Sequence, residues 1–497
     1  MSSSREEVVH AAAALGYTIP ESDVADYVGV LSKAKASFEE VEAMEAHNDG
    51  TNRLPTNPDI DSSPRDNIHL PEMADNPLGG WAYPRTCPYS HPASDLLKGK
   101  TVCLKDNIAM AGVPCLLGTS TFTDWIPKTN ATVITRILLH GGTITGKAVC
   151  ENLSRGAVSC TAASGPVDNP YAKGYSAKGS SSGTAALVGT ALCGLYGMKA
   201  TTGLVPYTGI ASNDASMDYV GPMTSNCRDC ATLLETIAGV DGLDDRQIAG
   251  TPWPDDVPKY AEILRLMELK NWLKGVSIGI LKEGLEPSTM DVGVKEKFLA
   301  AAKVVPIHTQ ARTLYAVMSK MGNHMGMLGM ATGRRSVLLT DLFEKKSLPY
   351  TQEVMEKMNV TSKDGLLVGE LGWTQYPQIY AKSVNIMRKV KDSYDKALEE
   401  VDFLVMPTTF TPSNPYPASR STPLQHSEAS ARKLENTSPF TGSGHSALAL
   451  PIGFVPAKDD PNIRLPASLQ IVGRYWDEVG ILKAAYAWEN TQDWKTP

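Results

Sequence analysis

The chain has 497 residues, a formal net charge of −7 with both signs dispersed, eight cysteines and nine histidines. That balance removes the electrostatic warrant for binding nucleic acid or an anionic membrane, no run approaches the roughly eighteen apolar residues of a membrane span, and so few cysteines in so long a chain are not a disulfide scaffold. The opening MSSSREEVV has no apolar leader core, so a cytoplasmic protein with no nucleic-acid and no membrane partner is expected.

In chain order, Glu6 to Leu15, with Gly16 following, reads as one helix, and Pro20 to about Met44 as a second, amphipathic one. Residues 48 to 95 are rich in proline, asparagine and aspartate and read as a long ordered arm over the surface. From Lys100 to about Gly239 strands alternate with helices, the pattern of an α/β sheet covered by helices on both faces. Thr309 to Lys346 is helical and methionine-rich, with Met318, Met321, Met325, Met327 and Met330; methionine fills irregular core gaps, so packing is favoured over a substrate-facing wall. Trp373, Tyr376 and Tyr380 either line a pocket or pack. Cys103, Cys150 and Cys193 sit in apolar runs as small core residues. Cys227-Arg228-Asp229-Cys230 is a C-x-x-C beside a helical stretch, without the second pair or the histidines that a zinc site needs, and no H-E-x-x-H spacing occurs.

Two segments carry chemistry. Gly179-Ser180-Ser181-Ser182-Gly183 offers three hydroxyls on glycine-flanked backbone and opens onto a helix start at Thr184, whose N–H groups would favour negative charge at the loop. Thr101-Val102-Cys103-Leu104 is a short apolar run closed by Lys105 and followed by Asp106-Asn107, the pattern of a buried strand ending in a turn. A lysine there loses hydration, its charged form is disfavoured, and its amine becomes a base near neutral pH, which is what a serine nucleophile needs. Each segment also has a plainer reading, as a linker or turn and as a solvated charge. The loop matches the G-x-S-x-G nucleophile elbow with Ser181 central, but that elbow follows an apolar strand and Asn169 to Tyr175 reads as a turn.

The order of many short segments decides between these readings. From about Leu97 to the C-terminus the chain resembles the amidase signature family, closest to the bacterial and fungal amidases of small carboxamides. The resemblance rests on Val102-Cys103-Leu104-Lys105-Asp106-Asn107-Ile108, Gly146-Lys147, the serine loop, Cys193-Gly194-Leu195-Tyr196-Gly197-Met198-Lys199, Gly221-Pro222-Met223-Thr224, Phe403-Leu404-Val405-Met406-Pro407-Thr408, Leu450-Pro451-Ile452-Gly453 and Leu465-Pro466-Ala467-Ser468, all in family order. It implies an α/β amidase-signature fold, a mixed twisted sheet in one domain over residues 96–497, preceded by N-terminal helices and the surface arm in 1–95. A variable, substrate-shaping helical region would occupy about 307–390.

The resemblance also implies a serine, cis-serine and lysine mechanism, with Lys105 as the base, Ser180 as the relaying cis serine, and Gly179, Ser181 and Ser182 against the substrate. That chemistry requires no cofactor. Its partner is a small-molecule amide, and a homodimer is compatible with it.

The chain departs from the family pattern where it matters most. Relatives carry a G-S-D-x-G-G-S-I-R segment, whose last serine is the nucleophile and whose N–H groups form the oxyanion hole, between the helix after the serine loop and the F-C-G run. Here Val188-Gly189-Thr190-Ala191 passes straight to Leu192-Cys193-Gly194, omitting roughly nineteen residues of the motif region. A second loss falls near Lys303-Val304-Val305-Pro306, and Lys178 and Ser182 replace glycines usual in the loop. Two clean losses with agreement on either side have the form of altered exon joining or a gene-model error rather than gradual decay, which predicts that the genomic sequence at both junctions encodes the missing segments. The expected activity is weak or absent amide hydrolysis. The competing readings are a catalytically dead binding or regulatory paralogue and, more remotely, one component of an amidotransferase complex.

Overall fold

A computed structural model describes residues 3–14, 16–43, 63–65, 68–189, 194–214, 216–267, 274–285, 302–303, 307–329, 339–346, 350–418, 421–430 and 434–494. Both junctions of apparent loss, Ala191-Leu192 and Val304-Val305, lie outside the described residues, as do Leu15, Met44, Cys193, Met330 and residues 48–62 of the expected arm.

The chain divides into two compact units, residues 1–49 and 50–497. The first holds α1 (Arg5–Ala14) and α2 (Val24–Ala43). They pack on each other, tied by Ser3 N to Ser32 Oγ at 2.9 Å and by a Lys35–Glu7 ion pair at 3.0 Å.

The second unit is built from strands β1 (Trp81–Cys87), β2 (Thr101–Lys105), β3 (Thr143–Ala148), β4 (Asp168–Asn169), β5 (Ala172–Ser176), β6 (Tyr196–Lys199), β7 (Met223–Thr224), β8 (Ile278–Leu281), β9 (Ala302–Lys303), β10 (Phe403–Pro407), β11 (Ala447–Pro456) and β12 (Arg464–Val472). Its helices are α3 (Thr132–Leu139), α4 (Ser182–Val188), α5 (Cys227–Ile237), α6 (Tyr260–Leu266), α7 (His308–Met327), α8 (Thr340–Lys346), α9 (Gln352–Lys357), α10 (Val360–Gln375), α11 (Ile379–Glu400), α12 (Pro423–Ser430), α13 (Ser438–Ser443) and α14 (Glu478–Thr491).

The α/β expectation holds, with one difference: the strands form two mixed sheets rather than one. A three-stranded sheet runs β1-β3-β2, with β2 and β3 parallel and β1 antiparallel to β3. A seven-stranded sheet runs β7-β6-β11-β12-β10-β8-β9, antiparallel from β7 to β10 and parallel from β10 to β9. The segment read as a turn before the serine loop is a β4-β5 hairpin outside both sheets, so it is still not the sheet strand that an elbow requires.

One apolar core serves both sheets. Leu104 of β2 and Ile144 of β3 belong to the same buried cluster as Tyr196 of β6, Leu448 of β11 and Ile471 of β12. Helix α3 packs on β3, α5 packs on β6 and β7, and the two helices pack on each other. Arg136 of α3 locks that contact: its guanidinium donates to the carbonyls of Ile237, Ala238, Gly239 and Val240 at 2.7–3.0 Å. Ile237 closes α5 and Ala238 caps it, so two of these carbonyls lack helical partners at a helix end where a cation is favoured, and the other two belong to the turn that follows.

The methionine question resolves toward packing. Met318, Met321 and Met327 are buried, and none of the four described methionines singled out in this helix lines the large cavity described below. Trp373 donates Nε1–H to the Met321 carbonyl at 3.0 Å and packs against Tyr380, while Tyr376 is exposed. Cys227 and Cys230 are buried in α5, where burial pushes the Cys230 thiol up to about 12. Among the described residues no helix is long and apolar enough to cross a membrane.

Candidate active site

Strand β2 delivers Lys105 to the floor of a cavity of about 1160 Å³, and the serine loop meets it there. Lys105 Nζ lies 2.7 Å from Ser180 Oγ, across 75 residues of sequence. The Gly179–Ser180 peptide is cis. Burial lowers the Lys105 pKa, opposed by the nearby Cys150, Asp218 and Glu151. The neutral amine is the basic form, so desolvation moves this group toward the protonation state of a general base.

The loop is held from behind by Glu151, a side chain that sequence reasoning missed. Glu151 has no exposed surface, and burial raises its pKa. Its carboxyl accepts from Thr161 Oγ1 at 2.7 Å, Thr161 N at 3.2 Å and Ser182 Oγ at 3.1 Å, while its backbone N–H donates to Ser180 O at 3.0 Å. Ser182, expected against the substrate, is therefore an anchor facing away from it, fully buried and absent from the cavity wall. Gly179 is also absent from that wall: a Cβ on it would sit 2.6 Å from Gly156 O and 2.7 Å from Glu151 Cγ, so the loop lies too close to its support for any side chain. Ser181 precedes α4 and does line the cavity, with Ser180, Thr184, Leu187 and Val188.

Of the N–H groups at the helix start, two are used within the protein. α4 has seven residues, the N–H of Gly183 donates to Val149 O at 2.8 Å and that of Ala185 to Ser181 O at 2.9 Å, so these donors are already used within the protein. Lys178 does not obstruct the loop, since the contact between Ser180 and Lys105 forms beside it. Lys178 instead adopts φ +67°, the left-handed region that disfavours side chains. Lys178→Gly is expected to stabilise the chain by about 0.5–1 kcal/mol, the relief of that backbone less glycine's extra unfolded-state entropy. The check is a higher urea midpoint at unchanged slope; a lower midpoint would mean that contacts of the lysine side chain dominate.

The cavity wall also holds Lys199, which ends one of the family-matching segments, and three groups that no motif announced: Asp218, Tyr219 and Tyr315. Asp218 accepts from Ser212 Oγ, Asn213 N and Asp214 N at 2.6–3.0 Å, which fixes the loop before β7. Lys199 lies 4.2 Å from the centre of the Tyr219 ring and donates to Ala200 O at 3.0 Å. Burial brings its pKa down to about 7, opposed by Glu478.

The unfolded chain, with lysine near 10.5, binds more protons than the folded chain between pH 10.5 and 7, so this group's contribution to stability is lost as pH falls through that window and is flat below it. Thermal melts of Lys199→Met against the parent should show the variant gaining relative stability from pH 10 to pH 7. A difference independent of pH would refute the assignment.

A second hydrogen-bonded chain has the connectivity of a serine triad: Ser443 Oγ to His445 Nδ1 and His445 Nε2 to Asp395 Oδ1, each at 3.0 Å. Ser443 and His445 are buried and neither lines the large cavity. The chain ties α13 to α11 within the core.

With the geometry in place, comparison with known proteins gives the class. The Amidase family profile matches residues 89–482, and the chain belongs to that family. It is 31% identical to an enantioselective amidase of Rhodococcus rhodochrous, over 84% of this chain and 84% of that protein. It is 28% identical to one of the subunits of the glutamyl-tRNA(Gln) amidotransferase of Methanosarcina barkeri, over 80% of this chain and 86% of that protein. In fold it is similar to the solved structure of 6-aminohexanoate cyclic dimer hydrolase, with a TM-score of 0.64 at 19% identity over 82% of this chain and 87% of that one. Family membership supports the general chemistry of amide carbon–nitrogen hydrolysis.

Proposed function

We infer that this site descends from a hydrolase of linear carboxamides working by a serine, cis-serine and lysine relay, and that the chain keeps the relay but lacks its nucleophile. The observation that carries the reading is the 2.7 Å approach of Lys105 Nζ to Ser180 Oγ on the wall of the large cavity. In the complete relay a neutral Lys105 takes the Ser180 hydroxyl proton and Ser180 takes the proton of the attacking serine. That serine's oxygen adds to the amide carbonyl. Collapse breaks the carbon–nitrogen bond, the proton returns through Ser180 to the departing amine, and water hydrolyses the acyl ester by the same route.

Serines 181 and 182 do not replace the nucleophile in this reading. Ser182 is committed to Glu151, and Ser181 adjoins Ser180 in sequence at the helix start rather than across the substrate space. The similarity to amidotransferase components raises a complex-borne role, for which co-purification of partner proteins is the discriminating observation.

The test of the main reading is hydrolysis of small aliphatic and aromatic carboxamides by the chain as it stands. Turnover at or near background is expected, because loss of a nucleophile costs on the order of 10⁴–10⁶ in rate. Ordinary turnover that Lys105→Ala abolishes would overturn the claim that the nucleophile is missing.

A further inference from the structure

Lys199 ends β6 half-buried, on the wall of the large cavity. Three described lysines line that cavity, and two are already occupied: Lys105 Nζ is 2.7 Å from Ser180 Oγ, and Lys100 is paired with Asp229 at 2.8 Å. Among the described residues Lys199 forms no ion pair. Its hydrogen bond goes to the carbonyl of the next residue, Ala200, at 3.0 Å, and the centre of the Tyr219 ring lies 4.2 Å from Nζ.

An ammonium has three N–H donors, and one carbonyl with one ring face is a poor exchange for its hydration. Glu478 is near enough to oppose the loss of charge, but its carboxyl is buried and accepts from Thr201 N at 2.8 Å. Burial prevails and brings the Lys199 pKa down to about 7. At neutral pH such an amine is about half unprotonated, on the order of 10³-fold more than an ordinary lysine. An unprotonated lysine facing a cavity is the arrangement that forms imines with carbonyl compounds. Met217 and Val220, which flank Asp218 and Tyr219 in sequence, line the same cavity and suit a short hydrocarbon chain or an aromatic ring.

We propose that Lys199 is a covalent site for small apolar aldehydes, which enter the cavity and are held there as an imine. The lone pair of Nζ adds to the aldehyde carbon, and one amine hydrogen passes to the carbonyl oxygen, giving a carbinolamine. That oxygen then leaves as water with the second amine hydrogen, and a carbon–nitrogen double bond forms. The exchange changes no oxidation state and consumes nothing but amine and aldehyde. When protonated, the imine puts its positive charge where the ammonium stood, over the Tyr219 ring, so the contact that serves one cation serves the other. Neither Ser180 nor Lys105 takes part, and the inference does not depend on the relay.

The experiment adds benzaldehyde or butanal to the full chain at pH 7 with cyanoborohydride, which reduces an imine to a stable secondary amine, and locates the modified lysines by peptide mass spectrometry. Lys199 is expected to be labelled about tenfold or more faster than any other lysine; its lower basicity also makes it a weaker nucleophile, so the full gain in neutral amine is not realised. The preference should vanish in the urea-unfolded chain. Lys199→Arg, with its melting temperature as the control for folding, should lack the fast adduct. Labelling spread evenly over the lysines, fastest labelling at Lys105, or a preference that persists in urea overturns the proposal.

Discussion

Insertion of the nucleophile segment at the Ala191–Leu192 junction is expected to raise carboxamide hydrolysis by on the order of 10⁴-fold or more, the reverse of the cost of removing a nucleophile from a relay whose other members stay in place. The size of the effect follows from what is already assembled. Lys105 and Ser180 are within 2.7 Å, the loop is anchored on Glu151, and burial holds the lysine pKa down. The same segment would restore the oxyanion donors, each worth about 3–4 kcal/mol in a typical hydrolase.

Two variants of the restored chain separate the roles. Lys105→Ala should return activity to the level of the unrestored chain, because a serine without a base reacts as a poor nucleophile. Ser180→Ala should cut kcat while leaving binding of the amide largely intact, since it breaks proton transfer rather than the pocket. Restored activity that survives Lys105→Ala would remove the lysine from the mechanism.

The second large effect concerns stability. Beneath Lys105, the next residue, Asp106, forms a buried ion pair with Lys147 of β3 at 3.4 Å; both side chains are almost completely inaccessible. Lys147 Nζ also donates to Ile108 O at 2.6 Å, and Asp106 Oδ2 accepts from Leu116 N at 2.9 Å. Lys147→Met is expected to destabilise the chain by about 3–5 kcal/mol, because it leaves a buried carboxylate without its cation.

The double variant Asp106→Asn with Lys147→Met should recover much of that loss, since removing both charges removes the unpaired one. Burial raises the Asp106 pKa, so the penalty of Lys147→Met should shrink as pH falls and the carboxyl takes up a proton. Urea melts of the parent and the two variants at neutral and acid pH measure all of this. A single variant as stable as the parent would show that the pair contributes nothing net.

The relay was legible because its two segments are local in sequence and unusual in composition: a lysine closing an apolar strand, and three serines between glycines. The strand that ends at Lys105 and the turn at Asp106-Asn107 were legible as well, as a short apolar run closed by a charge and followed by turn-forming residues. The anchors were not. Nothing local distinguishes Glu151 from an ordinary solvated acid after a cysteine, and only the folded chain brings it within reach of Ser182 and Thr161. Ser182 and Gly179 read as substrate contacts for the same reason, because sequence shows that residues are adjacent and not which way they face. Lys199 closes a family-matching segment in the sequence, and only the folded chain sets it over the Tyr219 ring on the cavity wall.

By itself the amino-acid order determined the α/β class, the chemistry of the lysine and the serine loop, and the place where the family pattern breaks, because each is written in short-range pattern and residue type. Tertiary structure alone decided that Lys105 meets Ser180, that Glu151 rather than substrate holds Ser182, and that β2 and β7 end up as edges of two separate sheets. Those depend on backbone pairing and burial between segments tens to hundreds of residues apart, where the free energy of a contact belongs to both partners and neither one's sequence states it.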